Sequence, residues 1–301
     1  MLDRQELGRT IALPGFPAYL RSAVAIWRAQ DSVDPALSSS LRDLGRFASG
    51  VWSLYLDATP GGITLIRLGV LLGEAGISGP GRARSILIFL RFIGFIESTE
   101  NVGDKRAKRY RVTDRMMAAF HERYRRELDA GSSLDPVVAA GHEALDRPEF
   151  FRALVAAMGE LSLAALQTYA PRDASLDVIS HQYAGMTVVG ELIGSCDAPG
   201  GPFPPVGPTS ISMAGIAKAC GISRTQVRRI LKAGANEGSF ELSGEGEVNL
   251  TPLLAEHVEL LVAGTFMMFR WCCEQALAKA GSVGVPTPQD AAAASPAPPA
   301  S

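Results

Sequence analysis

Positive charge is concentrated in one part of the chain, and it is the first feature with a chemical use. Twelve lysines and arginines but only five acidic residues lie between Arg82 and Arg126, although the whole chain has a formal net charge of −2. Five of these cations fall between Lys105 and Arg111. Clustered cations bind phosphates and gain affinity from counterion release, so the pattern predicts contact with a nucleic-acid backbone. The alternative is a solvated surface without a partner.

The residues predicted to contact DNA form two groups of different composition. The first group is Arg82, Arg84, Ser85, Lys105, Arg106, Lys108, Arg109 and Arg111. The second group is Arg224, Thr225, Gln226, Arg228, Arg229 and Lys232. Because the second group mixes cations with hydroxyl and amide side chains, it suits contacts to base edges as well as phosphates. We therefore expect the wing residues of the first group, Lys105 to Arg111, to contact the backbone and the helix of the second group to read bases.

The second group lies in a segment that is typical of a helix-turn-helix. Gly221 supplies the permissive backbone that ends a first short helix, and Ser223 is placed to cap the second helix. In that second helix the apolar residues fall on one face and the polar residues on the others. The apolar residues are Val227, Ile230 and Leu231. This division predicts a helix that packs on one side and enters a DNA groove on the other.

The same pattern occurs earlier in the chain, with gaps confined to expected turns. The matched segments are Phe47–Gly50 with Tyr183–Met186, Ala75–Ser78 with Cys220–Ser223, Ala83–Leu87 with Val227–Leu231, Gly94–Glu97 with Gly238–Glu241, and Tyr110–Thr113 with Val248–Thr251. Self-similarity of this kind indicates two tandem copies of one domain. The copies differ at positions of the second helix that are expected to face a DNA groove. The first copy has Ile88, Phe89 and Phe92 where the second copy has Lys232, Ala233 and Asn236.

After each second helix, two short apolar runs flank a polar tip, which predicts a β-hairpin. The tip is basic in the first copy, whereas the second has Glu245 and Glu247. The order helix, helix, hairpin resembles the winged helix-turn-helix of MarR-like bacterial transcriptional regulators, over Leu41–Leu128 and Asp177–Leu277. The resemblance implies a mostly α fold with small β-hairpin wings. MarR-like proteins are normally homodimers of single copies, so two copies in one chain suggest a covalently linked pseudo-dimer.

The predicted domain organisation follows the repeat. Residues 1–130 form an N-terminal winged-helix domain with a helical extension, and residues 148–280 form its C-terminal counterpart. Residues 131–147 are expected to be the linker, although residues 136–145 have a helical pattern. The Pro/Ala/Ser-rich residues 281–301 are expected to be a disordered tail.

Several function classes have no support in the sequence. The four histidines are scattered, and the four cysteines lack zinc-type spacing, so no enzyme, metal site or cofactor is expected. The N-terminus lacks the pattern of a signal peptide, and charges interrupt the most apolar stretch, Leu253–Cys273. A cytoplasmic protein that does not contact membranes is therefore expected.

The sequence thus predicts a transcriptional regulator that binds double-stranded DNA through two unlike winged helices. Unlike helices imply two unlike half-sites instead of a palindrome. A small-molecule effector remains open, and Trp52, Tyr55, Tyr183 and Met186 are the weakly preferred residues for it. The chain is expected to act as a monomeric pseudo-dimer or as a homodimer. The alternative function is a winged-helix module that binds another protein and not DNA.

Overall fold

The computed structural model describes residues 4–28, 44–74, 80–99, 108–168, 176–198, 200–243 and 247–282. The chain is mostly helical with two small antiparallel sheets, as the sequence predicts. The N-terminal part contains α1 (Arg4–Ile11), α2 (Phe16–Arg28), α3 (Leu44–Asp57), β1 (Ile63–Thr64), α4 (Leu65–Glu74), α5 (Pro80–Phe92), β2 (Ile96–Ser98), β3 (Arg109–Val112) and α6 (Asp114–Gly131). The C-terminal part contains α7 (Pro136–Ala144), α8 (Pro148–Thr168), α9 (Leu176–His181), α10 (Gly185–Cys196), β4 (Gly207–Pro208), α11 (Met213–Ala219), α12 (Arg224–Asn236), β5 (Phe240–Leu242), β6 (Val248–Leu250) and α13 (Pro252–Ser282).

Two segments, here called the first unit (residues 44–112) and the second unit (residues 185–250), have the same order of elements. Each unit runs helix, strand, helix, helix, strand, strand. The sheet order is also the same, with the last strand in the centre: β1-β3-β2 in the first unit and β4-β6-β5 in the second. Ile96 pairs with Val112, and Phe240 pairs with Leu250. The sequence predicted the two outer hairpins but not the short strands β1 and β4, which complete the sheets.

The two units also end with the same hydrogen-bonding arrangement. Thr113 and Thr251 follow the central strands, and each hydroxyl donates to the carbonyl of a glycine that has a positive φ. Each threonine oxygen also accepts from the backbone amide three residues later, which caps the next helix. The partners are Gly94 and Met116 in the first unit and Gly238 and Leu254 in the second. The two units therefore share their order of elements, their sheet order and these capping contacts.

One of the helices that precede each unit packs on the other unit. Helix α2 packs on α10 of the second unit, and α8 packs on α3 of the first unit and, more extensively, on α13. Arg28 Nε lies 3.2 Å from Glu191 Oε1, and Gly190 leaves room for the side chains of Arg28 and Trp27. As a result, one continuous hydrophobic core runs through both predicted domains.

The linker predicted for residues 131–147 contains α7, as the helical pattern of residues 136–145 indicates. Asp135 caps α7 by accepting from the Val137 amide at 2.8 Å, and Arg270 of α13 donates to the other oxygen of the same carboxylate at 2.8 Å. Val138 and Leu145 are buried. This segment is not an extended connection, because its apolar side chains complete the core against α13.

Helix α13 has the length and apolar composition of a membrane-crossing helix. In this structure 33% of its most apolar window is buried, and Val258, Val262, Phe266, Cys272 and Ala276 are among the residues that pack against neighbouring helices. The predicted tail overlaps its last turn, because α13 continues to Ser282. Residues 283–301 lie outside the described residues.

Close packing between α8 and α3 depends on a residue without a side chain. A Cβ atom at Gly159 would overlap Cβ and Cγ of Tyr55, which are the rigid base of that side chain. We expect Gly159→Ala to lower the free energy of unfolding by about 1–3 kcal/mol, the usual cost of overpacking a core. Chemical denaturation measures the change. The matched control is Gly8→Ala, also within a helix but with no atom within 4 Å, which should stabilise the protein by up to about 1 kcal/mol. Equal effects of the two substitutions would contradict this account of the interface.

Candidate nucleic-acid interface

Helix α12 presents a cationic face to solvent. Ser223 caps the helix by accepting from the Gln226 amide at 3.1 Å, as the sequence predicts. Val227, Ile230 and Leu231 are buried, which turns the opposite face outward. The exposed side chains are Arg224, Thr225, Arg228, Arg229 and Lys232. No acidic residue occurs between Ser210 and Asn236, and none of these cations is ion-paired within the described part of the chain.

Gln226 does not belong to this exposed face. Its side-chain amide donates to the backbone carbonyl of Tyr183 at 2.9 Å, and the residue is half-buried. The prediction that Gln226 contacts bases is therefore not supported by its position. It is instead a positioning residue that ties α12 to the segment between α9 and α10.

The first group of predicted residues lies on α5 and β3. Arg82, Arg84 and Ser85 are exposed on α5, and the Ser85 hydroxyl donates to the Gly81 carbonyl one turn earlier at 3.2 Å. On the β3 side, Lys108, Arg109 and Arg111 are exposed. Arg111 lies 2.6 Å from Glu97 of β2, so part of its charge is already compensated. Lys105 and Arg106 lie outside the described residues.

Helix α5 differs from α12 by carrying exposed apolar residues. Ile88 is 62% exposed and Phe92 is 86% exposed. Phe89 is partly buried, and the guanidinium of Arg46 lies over its ring at 4.8 Å. Of the three apolar residues that distinguish this helix in the sequence, Ile88 and Phe92 are thus exposed, whereas Phe89 is partly buried beneath Arg46.

A chain of contacts between partly buried residues joins the two exposed helices. The guanidinium of Arg46 lies over the Phe89 ring of α5 and also 5.7 Å from the ring of Tyr183. The Tyr183 carbonyl accepts the hydrogen bond from Gln226 of α12. Cation–π contacts and a partly buried hydrogen bond of this kind hold their partners in a defined geometry. Arg46 was missed by sequence reasoning, since a single arginine on a helix gives no signal of such a bridge.

The second hairpin has an acidic residue beside its tip. Glu247 is exposed, and its carbonyl accepts from the Ser243 amide at 3.0 Å to close the hairpin. Glu245 lies outside the described residues. A carboxylate here disfavours phosphate contact by this hairpin, so α12 is the cationic element of the second unit.

The described residues contain no group of three His, Cys, Asp or Glu side chains placed to hold a metal. His121 is used structurally, with Nε2 3.2 Å from the Leu145 carbonyl. Of the residues proposed to bind an effector, Trp52 is fully buried in the core, while Tyr55, Tyr183 and Met186 are partly buried. These positions do not identify an effector site.

The comparisons with known proteins are negative. No family model, curated protein or solved structure matches the chain. The functional conclusion therefore depends on the geometry of α5, α12 and the two sheets.

The cysteines should differ sharply in reactivity. Burial raises the pKa of Cys273 to about 12 and raises the pKa of Cys272 as well, so neither forms the reactive thiolate near neutral pH. Cys220 is buried, whereas Cys196 is half-buried. Maleimide labelling at pH 7.5, followed by mass spectrometry, should modify Cys196 first and all four thiols only in denaturant. Rapid labelling of Cys272 or Cys273 in the native protein would contradict their packing.

Proposed function

We propose that this protein is a sequence-specific, cytoplasmic DNA-binding transcriptional regulator of the MarR-like winged-helix type. The observation that carries the proposal is the exposed cationic face of α12, at a matched position in a unit that occurs twice. In each unit, the third helix and the following hairpin correspond to the recognition helix and wing of a winged helix. The cations of α12, α5 and β3 would supply the phosphate contacts.

The exchange of helices supports a pseudo-dimer within one chain. In a symmetric dimer, each subunit gives the other the same contact that it receives. Here α2 packs on the second unit while α8 packs on the first, which is the same reciprocity between two copies that are covalently joined. One chain would then present two recognition helices to one duplex. Because α5 and α12 differ in their exposed side chains, the expected operator has two unlike half-sites.

Fluorescence anisotropy with labelled duplexes tests the proposal directly. A pool of random duplexes should bind at 50 mM salt, and repeated selection from that pool should enrich a discrete asymmetric sequence. The logarithm of the binding constant should fall linearly with the logarithm of salt concentration, because cations displace counterions from phosphates. Failure to bind any duplex at low salt would end the proposal.

The bridge from Phe89 through Arg46 and Tyr183 to Gln226 should fix the distance between half-sites. Inserting two base pairs between them rotates one by roughly 70° and moves it by about 7 Å, since B-DNA turns once in about 10.5 base pairs. We expect the native protein to lose at least about tenfold in affinity on this operator. The Arg46→Ala/Gln226→Ala variant should lose less, because its recognition helices are less rigidly coupled. Equal losses for both proteins would show that the bridge does not set the spacing.

A second candidate function is a module that binds another protein. The exposed Ile88 and Phe92 favour it, because exposed apolar side chains often mark protein contacts. Size-exclusion chromatography with light scattering, in the presence and absence of duplex DNA, distinguishes the candidates. A stable protein complex with no DNA affinity would support the second.

A further inference from the structure

Helix α5 carries a narrow apolar stripe that α12 lacks. Ser85, Ile88 and Phe92 are spaced three and four residues apart, so they lie along one side of the helix, and all three are exposed. The matched positions on α12 are Arg229, Lys232 and Asn236. The three positions that carry polar or cationic side chains on α12 therefore carry one hydroxyl and two apolar side chains on α5. They are exposed on both helices.

The surroundings of the stripe are cationic. Arg84 and Arg91 flank it on α5, and Lys108 and Arg109 are exposed at the start of β3. Glu97 is the one acidic side chain among the described residues of α5, β2 and β3, and it pairs with Arg111. A partner that covers the stripe must therefore bring negative charge next to apolar groups.

This charge pattern argues against a second copy of the chain. If two α5 helices packed antiparallel about Ile88, Arg84 of one copy would face the end of the other helix that carries Arg91. Like charges in such a position are destabilising. The stripe by itself is also small, because two side chains provide much less than the roughly 800 Å² that each partner buries in a standard protein interface. Further exposed apolar side chains, Leu65, Ile66 and Val70, lie on the neighbouring helix α4.

Duplex DNA has both of the required features in its major groove. Phosphates line the groove, and the C5-methyl group of each thymine projects into it as an apolar contact. A helix that presents Ile88 and Phe92 between arginines matches this combination. An acidic amphipathic peptide shares the charge but needs a broader apolar surface than α5 offers.

We infer that α5 recognises thymine methyl groups, through Ile88 and Phe92, in the half-site bound by the first unit. This inference rests on the proposed DNA-binding function. It adds which chemical groups of the bases are contacted in each half of the operator. The half-site read by α5 contains thymines at the positions that face Ile88 and Phe92, while α12 reads its half through polar contacts. Loss of one buried methyl contact weakens binding about fourfold.

Replacing thymine by deoxyuridine tests this directly, because the substitution removes only the methyl group. The selected operator is synthesised with single thymine-to-deoxyuridine changes in each half, and affinity is measured by anisotropy. Hydroxyl-radical footprints are recorded at protein concentrations that saturate the operator for the native protein and for Arg228→Ala/Arg229→Ala, and the half whose protection is weakened in the variant is the half bound by α12. In the other half, one or two changes should each weaken binding about fourfold, whereas changes in the α12 half should have less effect.

Variants that carry the second unit's residues complete the test. The double variant Ile88→Lys/Phe92→Asn should bind thymine and deoxyuridine operators equally, since both methyl contacts are gone. Both positions are exposed, and unchanged thermal unfolding would show that the fold is kept. Leu261→Lys, an exposed apolar position on α13, is the charge control and should keep the methyl preference.

The outcomes separate this inference from the function on which it rests. No binding to any duplex overturns the proposed function itself. Binding with no deoxyuridine effect in the α5 half overturns the methyl inference alone. A third outcome is a footprint that covers only the α12 half, together with binding of an acidic peptide that requires Ile88 and Phe92. This outcome would assign α5 to a protein partner and would also overturn the methyl inference.

Discussion

Removing the two central arginines of α12 is expected to abolish most of the affinity for DNA. Arg228 and Arg229 are exposed and are not ion-paired within the described residues, so their charges are available to a ligand. An arginine contact to a base edge is worth about 1–3 kcal/mol, so losing two such contacts in Arg228→Ala/Arg229→Ala should lower affinity about 30-fold or more at 0.1 M salt. Anisotropy titrations against the selected operator measure the loss.

The salt dependence shows what the two arginines contact. If both bind phosphates, the slope of log affinity against log salt should fall by about 2, and sequence preference should stay the same. If one reads a guanine, the slope should fall by less and preference at one base pair should relax. The α12 variant is compared with Arg147→Ala/Arg152→Ala, which removes the same charge from exposed positions at the start of α8. Equal losses for the two variants would mean that total charge, and not α12, determines binding.

Much of the fold follows from local sequence patterns. The caps at Ser223 and Thr251, the buried face of α12 and the outer hairpins depend on nearby residues, and the structure confirms them. The strands β1 and β4 are only two residues long, and pairing with distant strands creates them. No local pattern specifies such strands.

The features that sequence reasoning missed depend on long-range packing. The exchange of α2 and α8 requires Gly190 and Gly159 to face particular side chains, which periodicity does not reveal. The amide side chain of Gln226 is of a type that reads bases, but it donates a hydrogen bond to the Tyr183 carbonyl and is half-buried. The helical pattern of residues 136–145 indicates α7, but it does not reveal that Asp135 and Val138 find partners on or near α13, far away in the chain.

The second large effect is expected at a buried ion pair near the junction of α2 and α6. Glu127 of α6 has a side chain only 3% exposed, and its carboxylate lies 2.7 Å from the guanidinium of Arg123 one turn earlier. Burial first, and then the charge of Glu127, raise the pKa of Tyr19 on α2 above its ordinary value. Tyr19 in turn packs edge-on against Phe266 of α13, with ring centroids 5.4 Å apart. Glu127 thus contributes to the point where the N-terminal helix meets the core of the C-terminal half.

Glu127→Ala should cost about 3–5 kcal/mol of unfolding free energy, because it leaves the largely buried Arg123 without its partner. Chemical denaturation should show this as a lower midpoint in a single transition, since the two halves share one core. The double variant Arg123→Met/Glu127→Leu removes both charges and should return to within about 1 kcal/mol of the native protein. A small loss in Glu127→Ala alone would mean that water reaches the pair in solution. Two separate transitions in the native protein would mean that the units fold independently, and the exchanged helices would then not join them into one body.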